Sequence, residues 1–82
     1  MNNNNIETLE EDICAELVRC WGSPLVLRSN VSQFSGGLLH PRTLANLDSL
    51  GKGPLHKIKY GRKVAYKTEV LASWMKEKII NQ

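Results

Sequence analysis

The chain has 82 residues, of which 41% are hydrophobic and 6% aromatic, and its net charge is +3. This length predicts one small domain without a deep enclosed active site, so we expect a binding surface and not an enzyme. No apolar run approaches the roughly 20 residues that cross a bilayer, and the N-terminus does not resemble a secretion signal, so we expect a cytoplasmic protein without membrane contact.

Charge is divided unevenly along the chain. Residues 1–24 carry five acidic side chains against Arg19, which gives −4, whereas residues 25–82 carry ten Lys or Arg against three acidic residues, which gives +7. Such asymmetry favours a polyanionic partner for the basic part, with nucleic acid as the first candidate and an acidic membrane surface as the second. A basic but merely solvated surface is the alternative.

The N-terminal quarter predicts a tail and one helix. Residues 1–5, MNNNN, form a polar low-complexity segment that we expect to be disordered. Residues 6–24 predict an acidic amphipathic helix and a linker. The helix should end at Trp21 before Gly22 and Ser23-Pro24. It either packs on the domain or mediates self-association through an apolar stripe of Ile6, Leu9, Ile13, Leu17 and Cys20.

A short extended segment and a short helix follow. Residues 25–29, LVLRS, predict an extended segment, and Ser29 is the expected cap of a helix that carries Val31 and Phe34 inward. The sequence SGG at 35–37 should end that helix. Leu38 and Leu39 are then expected as buried turn residues.

The segment HPRTLANLDSLGKGP, residues 40–54, predicts a second short helix with a polar face. Pro41 suits the first helical position and Gly51 the C-terminal cap. Leu44 and Leu47 face one way. The other side presents residue types that bond base edges in a major groove, namely Arg42, Thr43, Asn46 and Ser49. An ordinary solvated helix face would show the same residues.

Residues 56–67, HKIKYGRKVAYK, change to the period of a strand. Apolar residues alternate with lysines on both sides of Gly61, which predicts a hairpin with one basic and one apolar side. Arg62 lies at its tip. The lysines would suit phosphate contacts, although lysine also keeps edge hairpins soluble. Thr68 should then cap a last helix with an apolar face of Val70, Leu71, Trp74, Met75 and Ile79.

The order of these elements predicts the fold class better than any one of them. A mostly α domain with a small β-hairpin is expected. It would be a winged helix-turn-helix DNA-binding domain at residues 25–82, preceded by the additional acidic amphipathic helix.

The span from Val26 to about Met75 resembles the small excisionase-like and AlpA-like DNA-binding domains of phages and mobile elements, which are related in fold to MerR-type regulators. The resemblance rests on PRTL at 41–44, GKGP at 51–54, KIKYGRKVAY at 57–66 and EVLASWM at 69–75. The chain departs from that family at VSQFSGGLLH, where the first helix is shorter. The acidic helix lies outside the resemblance.

This resemblance implies double-stranded DNA as the partner. The helix at 41–50 would enter the major groove with Arg42, Thr43 and Asn46 near bases, while Arg62 and Lys63 would form the wing tip. Phosphate contacts are expected from Lys52, Lys57 and Lys59. Apart from the resemblance, the position of His40 before Pro41 predicts either a helix cap or a further phosphate contact. The implied protein is an excisionase that bends DNA, self-associates on repeats and assists integrase in a bacterial or phage-infected cell. An AlpA-like transcriptional regulator is the alternative.

Other function classes have weaker support. A protein-interaction adaptor would use the acidic helix as its working surface. No nucleophile, base and acid suggest a catalytic triad. Cys14, Cys20, His40 and His56 lack the spacing of a zinc site, and two buried reduced thiols are the expected state of the cysteines. We expect neither metal nor cofactor.

Overall fold

The computed structural model describes the backbone of residues 6–80 and the side chains of residues 13–78. The predicted tail at 1–5 and the side chains of Ile6, Leu9 and Ile79 lie outside these ranges. Four helices and one three-stranded antiparallel sheet form an α+β domain, with a 3₁₀ turn at Arg28–Asn30. In chain order the elements are α1 (Ile6–Trp21), β1 (Leu25–Leu27), α2 (Val31–Phe34), α3 (Pro41–Ser49), β2 (Lys57–Tyr60), β3 (Lys63–Lys67) and α4 (Thr68–Ile80).

The sheet has the strand order β1-β3-β2, so the predicted hairpin gains a third strand from the extended segment. Val26 of β1 and Lys57 of β2 are both opposite Tyr66 of the central strand β3. Val26 and Tyr66 are fully buried, because this face of the sheet covers the core. The β1 strand therefore anchors the hairpin to the rest of the domain.

The two faces of the hairpin differ from the prediction. Gly61 and Arg62 form a two-residue turn, which places Lys59 opposite Val64 and Lys57 opposite Tyr66. Opposed residues of an antiparallel pair project to the same face, so each face mixes lysine with apolar residues. The prediction of one basic and one apolar side was wrong. A turn of two residues places each odd-numbered residue of one strand opposite an even-numbered residue of the other, so lysines stand opposite apolar residues.

One core joins all the helices to the sheet. Its buried members are Val26, Val31, Phe34, Leu44, Tyr66, Leu71, Ala72 and Met75. Helix α1 runs along α4 and packs Cys14, Leu17, Val18 and Trp21 against this core. The Trp21 ring meets the Phe34 ring edge-on with centroids 5.6 Å apart, and its Nε1–H donates to the carbonyl oxygen of Leu25 at 2.8 Å.

Among the described side chains, the buried side of α1 shares only Leu17 with the predicted stripe. Its bounds agree with the prediction, and the helix packs on the domain. Ile13 is nevertheless 43% exposed, and Cys20 is exposed as well. Helix α4 lies against the neighbouring side, where the Cys14 thiol donates to the carbonyl oxygen of Ala72 at 3.2 Å. No disulfide joins Cys14 to Cys20, but the expectation that both thiols are buried was wrong for Cys20.

Helix α2 is a single turn that carries Val31 and Phe34 into the core as predicted. Ser29 is not its cap, because the 3₁₀ turn precedes α2 and places Asn30 at the cap position without a side-chain bond. Gly37 has a φ of +93°, and its N–H donates to the carbonyl oxygen of Ser32 at 2.8 Å. This bond closes the helix and turns the chain toward α3.

Two serine hydroxyls hold the turn between α2 and α3. Ser32 Oγ donates to the carbonyl oxygen of Leu39, and the Leu39 N–H donates to Ser35 Oγ, both at 2.8 Å. Leu39 therefore lies partly against the core. Leu38 is 71% exposed, so the prediction that it is buried was wrong. The serines fix the backbone at Leu39, and the preceding residue projects outward.

Thr68 is the first residue of α4 and not the residue before it. Its hydroxyl donates to the carbonyl oxygen of Ser23 at 2.6 Å, and its N–H donates to the carbonyl oxygen of Pro24 at 2.9 Å. The predicted capping role is replaced by a tie between α4 and the linker after α1. Within residues 6–80, no helix has both the length and the apolar composition needed to span a membrane.

Candidate nucleic-acid interface

Helix α3 begins with two local features that the sequence predicted. His40 is the cap residue, and its Nδ1 accepts a hydrogen bond from the Arg42 N–H at 3.1 Å. Pro41 occupies the first helical position, where a missing N–H costs nothing. Because Nδ1 is an acceptor here, neutral His40 carries its proton on Nε2. That exposed N–H group remains available to an anionic partner.

The same helix ends in a Schellman motif. Gly51 adopts a φ of +73°, and its N–H donates to the carbonyl oxygen of Asp48 at 3.0 Å. The N–H of Lys52 reaches back to the carbonyl oxygen of Leu47 at 2.8 Å. A residue with a side chain would be strained at this φ. Both ends of α3 are therefore fixed by the sequence itself.

The polar face of α3 points away from the core. Leu44 is fully buried, and the four predicted base-contacting residues, Arg42, Thr43, Asn46 and Ser49, are all exposed. Ser49 already donates its hydroxyl proton to the carbonyl oxygen of Asn46 at 2.8 Å. Its oxygen can still accept a bond from a partner. The other three side chains form an open set of donors and acceptors.

A closed triangle of side chains holds α3 against the sheet. Arg28 Nη2 and the Tyr66 hydroxyl both donate to Asp48 Oδ2 at 2.6 Å. Arg28 Nε also donates to the Tyr66 hydroxyl oxygen at 3.0 Å. The three residues belong to the 3₁₀ turn, α3 and β3, so the triangle connects the elements that carry the candidate interface.

The triangle changes the pKa values of Tyr66 and Arg28. Burial and the hydrogen bond to Asp48 together raise the pKa of Tyr66 to about 12, although the hydrogen bond to Arg28 acts in the opposite direction. For Arg28, burial opposes the charge, but the hydrogen bonds to Tyr66 and Asp48 outweigh it and raise its pKa. The side chain of Asp48 is only 5% exposed. Its negative charge is therefore neutralised inside the protein.

The sequence contained one sign of this network that was missed. Asp48 lies about 40° from Leu44 around α3, on the side that faces the core. An acidic residue in that position needs a buried partner. Arg28, twenty residues away, could not be identified as that partner without the fold.

A shallow groove of about 330 Å³ brings the hairpin tip to the beginning of α3. Arg62 and Lys63 line it together with Pro41 and Ser29. The remaining walls come from Leu27, Arg28 and Val64. The predicted wing-tip residues therefore lie beside the N-terminus of the helix that carries the predicted base contacts.

None of the predicted phosphate-contacting residues lines this groove, and they lie in different parts of the domain. Lys57 and Lys59 are exposed on the edge strand β2, on the face of the sheet that also carries Val64 and Tyr66. His40 adjoins Pro41 at the groove. Lys52 lies beyond the other end of α3, where its carbonyl oxygen accepts a bond from Trp74 Nε1 at 3.2 Å. Lys52 is therefore separated from the wing tip by the length of α3.

The surface has a uniform sign of charge. Residues 40–67 contain seven Lys or Arg and one acidic residue, Asp48. The Asp48 carboxylate is buried and ion-paired with Arg28, so the exposed charged side chains of α3 and the hairpin are all cationic. Such a surface attracts a polyanion and has no exposed carboxylate to repel it.

Within the described part of the chain, no group of three or more His, Cys, Asp or Glu side chains could hold a metal ion. Comparison of the chain with protein-family models, with curated proteins and with solved structures found no match.

Proposed function

We propose that this protein binds double-stranded DNA in a sequence-specific manner through a winged helix-turn-helix. In this proposal α2 and α3 are the helical pair, α3 lies in the major groove, and the β2–β3 hairpin is the wing. A major groove is about 12 Å wide and admits one α-helix. The adjacent hairpin then follows the sugar–phosphate backbone or enters the neighbouring minor groove.

The observation that carries the proposal is the groove that joins Arg62 and Lys63 to the beginning of α3. Cationic side chains of the hairpin tip line this groove together with Pro41, the first residue of the helix that carries the proposed base-contacting residue types. The residue composition of α3 and of the hairpin would also fit two separate surfaces that contact only solvent. Their proximity, together with the burial of the one acidic side chain between residues 40 and 67, favours a single anion-binding surface.

The proposed roles follow from the chemistry of each side chain. Arg42 can bond guanine through two N–H groups, Asn46 can bond adenine, and Thr43 or Ser49 can serve several bases. Arg62 and Lys63 contact the backbone or minor groove at the wing. Phosphate contacts come from His40, Lys52, Lys57 and Lys59. A face of this size covers few base pairs, so we expect several copies on adjacent repeats.

Within this class we propose an excisionase, a factor that directs site-specific recombination. Copies bound at neighbouring sites would bend the DNA and help to assemble integrase on it. Bending 20–30 bp costs on the order of 1–6 kcal/mol, which the additional contacts offset. Transcriptional regulation of the AlpA-like type uses the same surface and differs in the DNA site and partner.

An electrophoretic mobility shift assay tests the proposal. The probes are a random duplex and the DNA that flanks the protein's own gene, each at low and moderate salt. We expect laddered complexes on the flanking DNA that survive salt at which random DNA is released. Absence of a shift on both probes at low salt would overturn DNA binding. Integrase-dependent excision of a reporter segment then separates recombination from regulation.

A further inference from the structure

A second groove lies between α1 and α2, away from the candidate DNA interface. It has a volume of about 350 Å³, and its apolar walls are Ile13, Leu17, Trp21 and Phe34, with Cys20 and Glu16 at its border. None of its lining residues borders the groove at the wing tip. The two grooves are therefore formed by different residues.

This groove contains two side chains of α1, Ile13 and Cys20, that the core leaves exposed. Ile13 is 43% exposed and Cys20 is exposed, although both belong to a helix that packs closely on its other side. Ile13, Leu17 and Cys20 stand four and three residues apart, so they form a row about 10 Å long on the helix. A row of this kind accepts apolar side chains that repeat at helical spacing on a partner.

Charge identifies the kind of helix that fits. Helix α1 carries five acidic residues and one basic residue, and Glu16 borders the groove directly. The ion pair of Glu16 with Arg19 is 3.4 Å long, with both side chains more than 60% exposed. An ion pair so exposed contributes little and can exchange for another cation. The groove therefore combines an apolar floor with an acidic border.

We propose that this groove, formed by α1 and α2, docks a basic amphipathic helix of a protein partner. Apolar side chains of that helix would enter the groove, and its flanking lysines or arginines would lie against α1. A second copy of this chain fits poorly, because pairing two α1 helices would bring two segments of net charge −4 together. The proposal is independent of DNA binding, since it involves other residues.

The test uses the full chain and two synthetic peptides of about 18 residues, each labelled for fluorescence anisotropy. Both peptides carry leucines at positions i, i+4 and i+7. One has lysines at the flanking positions, and its twin has glutamates. We expect the basic peptide to bind and the acidic twin to bind at least about ten-fold more weakly. Equal affinity for the twins would overturn the charge argument.

Variants locate the binding site. Ile13→Lys should raise the Kd of the basic peptide at least about ten-fold, and Glu16→Lys several-fold. Glu77→Lys makes the same charge change on an exposed position of α4 and should leave the Kd unchanged. If Glu77→Lys weakens binding as much as Glu16→Lys does, the peptide does not occupy this groove. Glu16→Lys also keeps the test valid should Ile13→Lys fail to fold.

Two further measurements distinguish a basic helix of another protein from a second copy of this chain as the occupant of the groove. Bound basic peptide should slow alkylation of the exposed Cys20 by iodoacetamide. Sedimentation of the chain alone should show a monomer. A dimer that Ile13→Lys abolishes would overturn the proposal in favour of self-association at this face. All these measurements are made without DNA, so failure of the proposed DNA function would leave their outcome unaffected.

Discussion

The carboxylate of Asp48 accepts hydrogen bonds from Arg28 and Tyr66, and these three residues lie in three different elements. The side chain of Asp48 affects both the orientation of α3 and the charge of the surrounding surface. It fixes the rotation of α3, so that Arg42, Thr43 and Asn46 face solvent together. It also withdraws the one acidic charge of residues 40–67 from the surface.

The hydroxyl of Tyr66 gives the fold a pH dependence in the alkaline range. Its pKa of about 12 lies above the ordinary value of 10, so folding favours the protonated hydroxyl. That stabilisation is complete below pH 10 and is lost as pH rises toward 12. We expect the stability advantage of the wild type over Tyr66→Phe to shrink by on the order of 2 kcal/mol across this window. Urea unfolding of both proteins at several pH values measures it, and a constant difference would contradict the assignment.

Asn46 is the residue whose contribution should depend most on DNA sequence. It is exposed on α3, and an amide can make two bonds to adenine. We predict that Asn46→Ala costs about 1–3 kcal/mol of binding free energy on the true site and little on random duplex. Titrations on both probes check this, with thermal unfolding as the control for stability. Equal losses on both probes would mean that Asn46 contacts the backbone and not a base.

At the scale of elements, the loop after α3 is packed against the triangle. A Cβ added at Gly53 would overlap Asp48 Oδ1 and lie 3.0 Å from Asp48 Cγ. Because Arg28 and Tyr66 hold that carboxylate, it cannot move away without breaking their bonds. Gly53 is therefore required by a close contact and not by its backbone angle.

We predict that Gly53→Ala lowers the free energy of unfolding by about 1–3 kcal/mol. In an Asp48→Ala background the same substitution should cost much less, since the nearest remaining atom, Asp48 Cα, is at an ordinary 3.4 Å. A double-mutant cycle by urea denaturation measures the coupling. Additive costs would show that Gly53 acts through some other contact.

The hairpin should contribute affinity more than specificity. Arg62 is exposed at the two-residue turn, where a backbone phosphate or minor groove would be reached. We expect Arg62→Ala to weaken binding to all duplexes by a similar factor and to reduce the slope of log K against log salt by about 0.9. Arg19→Ala removes the same charge from α1 and is the matched control. Loss of specificity with an unchanged salt slope would contradict this role.

The bounds of the elements were largely predictable, because they depend on neighbours in sequence. The spacing in α1, Pro41 and Gly51 around α3, and Gly61 in the hairpin each act locally. The faces of the hairpin could also have been predicted from the sequence, because a two-residue turn places odd-numbered residues opposite even-numbered ones. Counting the residues between Tyr60 and Lys63 would have given the correct faces.

Other features depend on packing between distant elements and were not predictable. Both sides of α1 carry apolar residues, so only the position of α4 decides that Val18 is covered and Ile13 is not. The exposed face of α3, by contrast, was predictable from the periodicity of that helix alone. The partners of Asp48 come from residues 28 and 66, and only the fold brings them together. The assignment of the domain as residues 25–82 remains a prediction.

At the scale of the whole molecule, α1 is part of the common core and not an appendage. Cys14, Leu17, Val18 and Trp21 pack against that core, and the linker after α1 is bonded to Thr68 of α4. Unfolding of α1 should therefore accompany unfolding of the interface. Removing it would expose the core side of α4.

We predict unequal effects of two alanine substitutions on α1. Val18→Ala should lower the free energy of unfolding by about 1–2 kcal/mol, because Val18 packs against the core. Ile13→Ala should change it by less than about 0.5 kcal/mol, because that side chain is 43% exposed. Thermal unfolding of both variants checks that Val18→Ala loses more stability than Ile13→Ala. A larger loss for Ile13→Ala would mean that the exposed row is covered in solution.

The two indole rings stand in different surroundings. Trp21 meets Phe34 edge-on, whereas Trp74 lies with the Lys78 ammonium 5.5 Å from its ring centroid and donates to Lys52. Indole emission responds to polarity and to nearby cations, so we expect the two tryptophans to differ in emission. A single-tryptophan variant retaining Trp21 would report on the α1–α2 crossing, and one retaining Trp74 on the α4 side. The molecule can thus be observed optically at two places without an added dye.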